Sequence, residues 1–511
     1  MRELIEKAIR EVLGADAAFV VERPRALSNG DYSTNAALVG KVDPHELSSK
    51  LRSLLSSNEV EKIEVVGKFI NLYLSREALI PKEQKIPQLY AGKKIMVEYT
   101  DPNPFKEFHI GHLMSNAIGE SIARLLEASG AKVIRANYQG DVGLHVAKAI
   151  WGKMQKPDVS WGEAYTYGAQ EYENKKAEID EINKKVYKKS DAQINALYDA
   201  GRKESLERFD EIYKTLGTKF NKYFFESETS PKGLILVQKH PDVFEQSEGA
   251  TVFHGAHTRV FVTSRGLPTY EAKDLGLLEL KKETENMDES ITITANEQSD
   301  YFSVVLAAAK KVPEIAGIAE KTKHVSHGMM RFADSKMSSR KGNVITGESL
   351  LHDLTKEARG REDVAVGAIK YTVLKSGSGK DIIFDPDKSL SLEGDSGPYL
   401  QYARVRAVSL LQKAKEAGVE AGTQDMPAEA HSLERVLIHY SDAVARAAKE
   451  LEPHYVTTYL TELASAFNSW YAQEKVIGGE HQDYGVFLTQ AVERTLSQGL
   501  NLLGIPTPEE M

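Results

Sequence analysis

Two histidines in the stretch His109-Ile-Gly-His112 have the types and spacing that suggest chemistry most directly. They lie where a probable strand and a proline-containing loop lead into an expected helix. A helix N-terminus presents backbone N–H groups and a partial positive charge, and two imidazoles there could donate to one phosphate. Gly111 would let a nucleotide base approach the backbone without meeting a Cβ. The pattern indicates a nucleotide site, although its spacing alone suits an ordinary polar helix start equally well.

A second cluster of cations lies more than 220 residues further on, in the stretch Asp334-Ser-Lys-Met-Ser-Ser-Arg-Lys-Gly-Asn343. Lys336, Arg340 and Lys341 are close together in this segment, which is expected to be a loop. Such a loop suits a mobile lid that neutralises phosphates while they are transferred. Taken singly, a solvated basic loop explains the same residues.

The elements that must position the histidines form a β-α-β unit. Residues 93–100 have the pattern of a strand, residues 111–129 that of a helix closed by Gly130, and residues 132–138 that of a second strand. This unit is the building block of a doubly wound parallel sheet. The same pattern resumes with strand-like residues at 259–263 and 290–294.

Around this unit the chain divides into three expected domains. Residues 1–80 have the pattern of a small α/β domain. Residues 90–390 are expected to form an α/β domain interrupted by a charged helical insertion at about 150–260. From residue 391 to 511 the chain has a helical pattern throughout, and a helix bundle is the simplest interpretation.

Composition limits the class of protein. The 27% of charged residues is ordinary for a soluble globular protein. The absence of cysteine excludes disulfides and thiolate zinc sites, so any metal would be an oxygen-bound ion such as the Mg²⁺ that accompanies ATP. No stretch approaches the roughly 18 apolar residues of a membrane-spanning helix. We therefore expect a cytoplasmic protein that makes no membrane contact.

The distribution of charge argues against bulk electrostatic binding of RNA. Residues 391–511 contain 9 basic and 17 acidic residues, so they carry −8 of the net charge of −9. Nucleic-acid-binding proteins usually show a basic excess or stripe instead. Any RNA contact here must use local basic groups, stacking and shape.

Together these motifs resemble a known family. His109-Ile-Gly-His112 matches the HIGH signature of class I aminoacyl-tRNA synthetases, and Lys336-Met-Ser-Ser-Arg340 resembles their KMSKS loop. Within this class the chain resembles the arginyl-tRNA synthetases over nearly its whole length. Further stretches that resemble this family are Glu98-Tyr-Thr-Asp-Pro-Asn-Pro, Asn137-Tyr-Gln-Gly-Asp141, Pro268-Thr-Tyr-Glu-Ala-Lys-Asp274, Asn296-Glu-Gln-Ser-Asp300, Ser396-Gly-Pro-Tyr-Leu-Gln-Tyr402 and Gly30-Asp-Tyr-Ser-Thr-Asn35.

The resemblance implies an α/β fold with a class I Rossmann-type parallel-sheet catalytic domain. A small α/β N-terminal domain that contacts the tRNA elbow and an all-α, helix-bundle, anticodon-binding C-terminal domain would flank it. It also implies a ligase that activates L-arginine with ATP and transfers it from arginyl-adenylate to the 3′ end of its tRNA, releasing AMP and pyrophosphate. The implied partners are ATP, supplied with Mg²⁺ as a substrate complex, L-arginine and arginine tRNA. Neither a protein-bound metal nor an organic cofactor is expected, and the expected state is a monomer.

The resemblance assigns the ATP site to both motifs. It implies catalytic roles for His109, His112, Lys106 and Lys336. The implied ATP-binding residues are His109, Gly111, His112, Lys336, Met337, Ser338, Arg340 and Lys341. Ser339 replaces the second lysine of KMSKS, so the phosphate-neutralising charge usual at that position is missing. Lys106 stands where this family commonly has a compensating lysine, and Arg340 and Lys341 are alternatives.

The implied arginine pocket consists of Glu98, Asn103, Tyr270, Asp274 and Gln298. A guanidinium group is best held by planar carboxylates, and Tyr270 and Asp274 are four residues apart, hence on one helix face. Without the resemblance, a core tyrosine and a helix-stabilising aspartate would explain this pair more simply.

The implied tRNA contacts are Asn35 in the N-terminal domain and Tyr399, Tyr402, Tyr471 and Met511 in the C-terminal domain. Exposed tyrosines that stack on bases would explain how an acidic domain binds RNA. The same tyrosines are equally compatible with core positions.

Three other functions compete with this interpretation: a class I synthetase for another amino acid such as lysine, a nucleotidyltransferase that shares HIGH, and a catalytically idle RNA-binding relative. The intact histidines of HIGH disfavour the idle relative. The long helical C-terminal segment disfavours a minimal nucleotidyltransferase.

Overall fold

A computed structural model describes residues 1–24, 26–333 and 345–511. Its N-terminal unit is a four-stranded antiparallel sheet with three helices, which share one apolar core. The amphipathic first helix buries Ile5, Ala8 and Ile9 in that core. The elements are α1 (Arg2–Leu13), β1 (Val21–Glu22), β2 (Tyr32–Thr34), α2 (Ala36–Gly40), α3 (Pro44–Leu54), β3 (Val60–Val66) and β4 (Phe69–Leu74), in the sheet order β1-β2-β4-β3.

The predicted β-α-β unit consists of β5 (Lys94–Glu98), α4 (Ile110–Ala128) and β6 (Lys132–Gln139), and its two strands are parallel neighbours. The middle of α4 is buried on nearly every side, because strands cover one face and C-terminal helices cover the other. Gly130 has a φ of 94°, which suits the turn that leads from α4 into β6.

The charged segment at about 150–260 differs from the single helical insertion that the sequence suggests. Four helices form the insertion, α5 (Leu144–Gln155), α6 (Trp161–Gln170), α7 (Lys176–Lys188) and α8 (Ala192–Thr215). The chain then returns to the main sheet as β7 (Lys222–Phe225), followed by α9 (Glu226–Lys239). The strand expected at 259–263 belongs to a separate antiparallel sheet of β8 (Glu245–Ser247), β9 (Ala250–His254) and β10 (Thr258–Val262).

The main sheet is completed by β11 (Glu289–Ala295) and β12 (Thr322–His327), in the order β12-β11-β5-β6-β7 with all strands parallel. Both faces of such a sheet are covered by helices, which is why successive residues in the middle of β5 and β11 are buried. The helices between these strands are α10 (Tyr270–Thr284), α11 (Ser299–Ala309) and α12 (Ala316–Lys321).

A short parallel pair, β13 (Met330–Phe332) and β14 (Ile382–Phe384), connects the sheet to the C-terminal part. The remaining elements are α13 (Gly347–Glu357), α14 (Glu362–Leu374), α15 (Pro386–Ser389), α16 (Gly397–Glu416), α17 (Ser432–Leu437), α18 (Tyr440–Glu450), α19 (His454–Gln473) and α20 (Gln482–Leu502). From residue 397 the described chain is a helix bundle, and its core is continuous with that of α4.

Ion pairs join the N-terminal unit, and the segment that follows it, to this bundle. Arg435 donates to the buried carboxylate of Asp31, and Arg76 lies 2.7 Å from the buried carboxylate of Glu434. Because breaking a buried ion pair strands a charge, these contacts fix the N-terminal unit to the helical unit.

Candidate active site

The main sheet, α4 and α10 enclose a cleft of about 650 Å³ near the carboxyl ends of β5, β11 and β12. Ligands bind at this edge in open parallel sheets. The cleft is lined by all of the residues predicted for the arginine pocket and for the HIGH motif, namely Glu98, Asn103, His109, Gly111, His112, Tyr270, Asp274 and Gln298. Residues that are far apart in the sequence are thus brought together in one cavity.

At one end of the cleft the two histidines stack at the start of α4. Their ring centres lie 3.5 Å apart with an angle of 23° between the planes. The backbone N–H of His109 donates to Nδ1 of His112 over 3.2 Å, so each ring has a fixed orientation. A Cβ at residue 111 would lie 3.0 Å from the His109 ring, so Gly111 leaves room for the stack itself.

Both histidines are held in the neutral form. Desolvation, with the nearby charges of Lys106 and His327, lowers the pKa of His109 to about 4. Desolvation also lowers the pKa of His112 well below its ordinary value, as it does the pKa of His327 at the end of β12. Neutral imidazoles can direct N–H donors at an anion without themselves carrying a buried charge.

The loop between β5 and α4 has an unusual backbone. Thr100, Asp101 and Phe105 have φ values of 80°, 45° and 70°, which non-glycine residues adopt only at a cost. Hydrogen bonds hold each one in place: Thr100 N–H donates to Ser115, Tyr138 N–H donates to the Asp101 carboxylate, and Phe105 N–H donates to Ser205 of α8. This loop carries Asn103 and leads into the histidines.

Phe105 fastens the same loop to the helical insertion. Its side chain is fully buried among insertion residues, with its ring edge-on to Trp161 at 5.3 Å. A Cβ at residue 201 would lie only 2.3 Å from the Phe105 ring, so Gly201 of α8 is required for this packing. The position of the histidines is thereby tied to the packing of the insertion.

Lys106 lies beside the cleft and is not among the described residues that line it. Its ammonium group lies 5.0 Å from the ring centre of Tyr165 in the insertion. Desolvation lowers the pKa of Lys106, partly offset by the charge of Glu226.

At the other end of the cleft, carboxylates face the cavity. Glu98, at the end of β5, lies with its Oε2 3.0 Å from the ammonium group of Lys281, and both side chains are almost completely buried. Asp274 of α10 accepts a hydrogen bond of 2.5 Å from the hydroxyl of Tyr301. A guanidinium group entering this end would meet two carboxylates that neighbouring side chains already orient.

The environment of Asp274 and of Asp101 disfavours their ionised forms. Desolvation, with a contribution from the charge of Glu98, raises the pKa of Asp274 to about 7, although the Tyr301 hydrogen bond opposes this shift. Desolvation and the same Glu98 charge raise the pKa of Asp101 well above its ordinary value. A cation bound at this end of the cleft would therefore favour the ionised forms of Asp101 and Asp274.

The remaining predicted pocket residues lie around the rim. Tyr270 is the first residue of α10 and is 58% exposed. Gln298 ends a short 3₁₀-helix (Asn296–Gln298) and is exposed. Asn103 packs against Gly140, where a Cβ would lie 2.1 Å from its Oδ1.

Several cleft residues were not predicted from the sequence. Asp101, Tyr301, Lys281 and Glu226 belong to this group, and Glu226 is paired outside the lining with the buried Lys273, 2.5 Å away. Lys281 had a detectable signal, because it follows Asp274 by seven residues and so lies on the same helix face. The pairings of Tyr301 and Glu226 depend on the tertiary fold.

Some predictions concern residues that the structure does not describe. Lys336, Met337, Ser338, Arg340 and Lys341, together with Ser339, lie outside the described residues. Within the described ranges, no cluster of three or more His, Asp or Glu side chains is arranged to hold a metal ion. No helix in those ranges has both the length and the apolar character needed to cross a bilayer.

Three of the residues predicted to bind tRNA form one cluster. The Arg406 guanidinium lies 4.9 Å from the ring of Tyr402 and 5.3 Å from that of Tyr471. Arg406 also donates to Asn468, whose amide donates to the hydroxyl of Tyr399. All three tyrosines are partly exposed, on α16 and α19. They form neither a closed core nor a freely rotating set of rings.

The other two residues predicted to bind tRNA lie elsewhere. The C-terminal segment that ends at Met511 runs along Gln401 and Arg404, which donate to the carbonyls of Pro506 and Pro508. At 3.6 residues per turn, these two positions face away from the tyrosine cluster on α16. Asn35 precedes α2 in the N-terminal unit, and its side chain accepts a hydrogen bond from the N–H of Val20.

Comparison with known proteins supports one family throughout the chain. Residues 75–385 match the model of the catalytic domain of class I (R) tRNA synthetases. Residues 1–74 match the arginyl tRNA synthetase N terminal domain, and residues 400–511 match the DALR anticodon binding domain. The expected fold class, with its three parts, is confirmed.

Individual proteins agree with these models. The chain is 30% identical to the arginine–tRNA ligase of Clostridium perfringens, with 100% of both chains covered. The solved arginyl-tRNA synthetase of Thermus thermophilus superimposes with a TM-score of 0.82 at 26% identity, covering 100% of this chain and 99% of that one. The Plasmodium falciparum arginyl-tRNA synthetase shares the fold, with a TM-score of 0.78 at 21% identity over 100% and 98% of the two chains.

Proposed function

Since the chain belongs to the arginyl-tRNA synthetase family of class I, we propose that the cleft between α4 and α10 is where it performs the reaction of that family. It is a ligase that attaches arginine to tRNA. One observation carries the assignment of the site: neutral histidine donors and desolvated carboxylates occupy opposite ends of a single cavity.

Arginine binds at the carboxylate end. Asp274 and Glu98 pair with its guanidinium group, and the charge of the ligand restores the ionised form of Asp274. Tyr270, Asn103 and Gln298 contact the remainder of the amino acid from the rim. Their support is their common lining of the cavity.

ATP binds at the histidine end. In the first step an oxygen of the arginine carboxylate attacks the α-phosphorus of ATP, the bond to the β-phosphate oxygen breaks, and pyrophosphate leaves. His109 and His112 donate hydrogen bonds to the phosphate oxygens as charge moves onto them, and Gly111 leaves room for the stacked rings. In the second step a ribose hydroxyl at the 3′ end of tRNA attacks the arginyl carbonyl, and AMP leaves.

Basic side chains complete the phosphate site. Lys336, Arg340 and Lys341 neutralise the leaving pyrophosphate, and Met337 and Ser338 also bind ATP. Lys106 provides part of this charge in place of the second lysine of KMSKS, which is Ser339 in this chain. Its support is its place in the loop that leads into His109, and its lowered pKa, which favours a move toward an anion.

Partners and state follow from the same assignment. ATP enters as its Mg²⁺ complex, so the magnesium ion is part of the substrate. The tRNA contacts Asn35 with the N-terminal unit and reaches the helix bundle at Tyr399, Tyr402 and Tyr471, with Met511 at the edge of its footprint. The protein acts as a monomer in the cytoplasm, where translation consumes its product.

The test is aminoacylation of total tRNA with each amino acid in turn. Arginine alone should be esterified to tRNA, in an ATP-dependent reaction that releases AMP and pyrophosphate. Charging with lysine at a comparable kcat/KM, or none with arginine, would contradict the assignment.

A further inference from the structure

A buried lysine is paired with one of the carboxylates at the proposed arginine end of the cleft. The ammonium group of Lys281 lies 3.0 Å from Oε2 of Glu98, and the two side chains are 1% and 3% exposed. Its remaining neighbours are weak partners, since the hydroxyls of Ser290 and Thr292 lie 3.4 and 3.5 Å away. Lys281 therefore has Glu98 as its main partner.

Glu98 depends on this lysine in turn. Among the described residues, Lys281 is the side chain within ion-pair distance of the Glu98 carboxylate, and Oε2 accepts no well-aligned hydrogen bond. A carboxylate without a partner at this depth would take up a proton, because desolvation penalises its charged form. Lys281 is therefore the cation that compensates the buried Glu98 carboxylate.

The position of Lys281 on its helix links it to the second carboxylate. Lys281 and Asp274 are seven residues apart on α10, so both project from the same side of the helix into the cleft. The charge of Lys281 also acts on Asp274 and Asp101 in the direction that favours their ionised forms. The positive charge of Lys281 therefore acts on three carboxylates, those of Glu98, Asp274 and Asp101.

We propose that Lys281 is a positioning residue for arginine recognition: it holds the Glu98 carboxylate ionised and oriented toward the guanidinium group of the substrate. In this scheme Lys281 acts through the Glu98 carboxylate, to which its ammonium group is paired, and not through a contact of its own with arginine. The inference rests on the proposed role of Glu98 in binding arginine.

The primary experiment compares the variants Lys281→Met and Lys281→Arg in aminoacylation assays, with arginine and ATP varied separately. Lys281→Met should raise the KM for arginine at least about tenfold at neutral pH, the usual loss when a charged hydrogen-bonding partner disappears. The KM for ATP should stay within about twofold of the unmodified enzyme. Lys281→Arg keeps a cation at the same place and should recover most of the loss. The matched control is Lys310→Met, at an exposed lysine outside the cleft.

The pH profile provides a readout that a purely structural lysine would not change. In Lys281→Met the unpaired Glu98 carboxylate ionises only at higher pH, so the deficit in arginine KM should shrink between about pH 7 and pH 9. In Lys281→Arg it should stay constant. An arginine KM of Lys281→Met that equals that of the control at both pH values, with or without a lower melting temperature, would overturn the proposal.

Two further variants separate the possible failures. If Glu98→Gln leaves the arginine KM unchanged, the proposed role of Glu98 is wrong, and the role of Lys281 falls with it. If Glu98→Gln raises the KM while Lys281→Met does not, only the inference about Lys281 is wrong. The double variant should be no worse than Glu98→Gln alone, because Lys281 acts through Glu98, and additive losses would count against it. If Lys281→Met does not fold, Lys281→Gln takes its place with the same expected results.

Discussion

At the arginine end of the cleft, burial raises the pKa of Asp101 and Asp274, whereas at the histidine end burial lowers the pKa of His109 and His112. The two shifts have opposite signs and the same result, since each end disfavours its own charge. They differ in what surrounds the groups. Asp274 has a fixed partner in Tyr301 and the neighbouring Glu98 has one in Lys281, while the histidines have chiefly each other.

This difference suggests a division of labour between selection and chemistry. A pocket with oriented carboxylates is prepared for one cation and penalises neutral side chains, which would leave buried charge unpaired. Neutral donors with few fixed partners can follow an anion whose charge changes during the reaction. A variant at one end of the cleft should therefore change the function of that end and leave the function of the other end nearly unchanged.

The largest effect is expected for Asp274→Asn, which removes charge at the arginine end while keeping the shape of the side chain. Stranding a buried guanidinium should cost roughly 2–5 kcal/mol in kcat/KM for arginine, with little change in the KM for ATP. Kinetics and a melting temperature on the same preparation provide the test. A lower melting temperature with an unchanged arginine KM would mean that Asp274 merely stabilises α10.

At the opposite end, His109→Ala and His112→Ala should each lower the rate of arginine activation by roughly 100- to 1000-fold, as is usual when a donor to developing charge is lost. Arginine affinity should change little, because the carboxylates remain. Single-turnover kinetics with a separate arginine-binding measurement distinguish the two effects. His254→Ala, at an exposed histidine of β9, is the control. Near-normal turnover of either active-site variant would remove the histidines from the reaction.

A smaller effect is expected from pH alone. In the proposed scheme arginine pairs with ionised Asp274, and the pKa of this group is about 7, so protonation should compete with binding below that value. The dissociation constant for arginine should fall roughly tenfold from pH 6 to pH 8 and then level off. Tyr301→Phe removes a hydrogen bond that lowers this pKa and should move the transition to higher pH. Titration calorimetry provides the measurement, and a flat profile in the unmodified enzyme would refute the role of Asp274.

The smallest effect on activity is expected at Lys370, a buried lysine outside the cleft. Its ammonium group donates to the carbonyls of Leu216 and Gly504, and desolvation lowers its pKa to about 7. An unfolded lysine titrates near 10.4. Between these values the unfolded chain binds the extra proton, so this group makes stability rise with pH, by up to about 1.4 kcal/mol per unit.

Lys370→Met should flatten that dependence of the melting temperature while leaving kcat unchanged. This result would show that burial also suppresses the charge of a titratable group outside the cleft. An unaltered pH slope would mean that Lys370 stays protonated in the folded protein.

Local patterns predict the elements around the histidines well. The apolar runs of β5 and β6 and the glycine after α4 are short-range signals, and the structure places these elements within one or two residues of the prediction. Strand β7 was missed, because it is a four-residue edge strand between charged helices. Its pairing with β6 is a tertiary contact that no local pattern contains.

The same limit applies to the site. The resemblance assigned roles to Glu98 and Asp274, and these assignments stay predictions that the variants above will test. The sequence did not reveal which side chains pair with these two carboxylates. Tyr301 reaches Asp274 from another helix, and Lys281 reaches Glu98 across the contact between α10 and β5. Such partners depend on packing between elements that are far apart in the chain. Glu98 and Lys281, for example, are separated by 183 positions, the difference of their residue numbers.

Phe105 couples the local stability of the cleft to that of the insertion. Its ring is packed inside the four-helix insertion, while its backbone belongs to the loop that sets the entry to α4. An opening of α8 that releases the ring also breaks the hydrogen bond that the Phe105 N–H donates to Ser205, which maintains the left-handed backbone there. Amide protons at the start of α4 should therefore exchange with solvent together with those of α8, as one cooperative unit. Loss of activity on warming should then follow the melting of this unit.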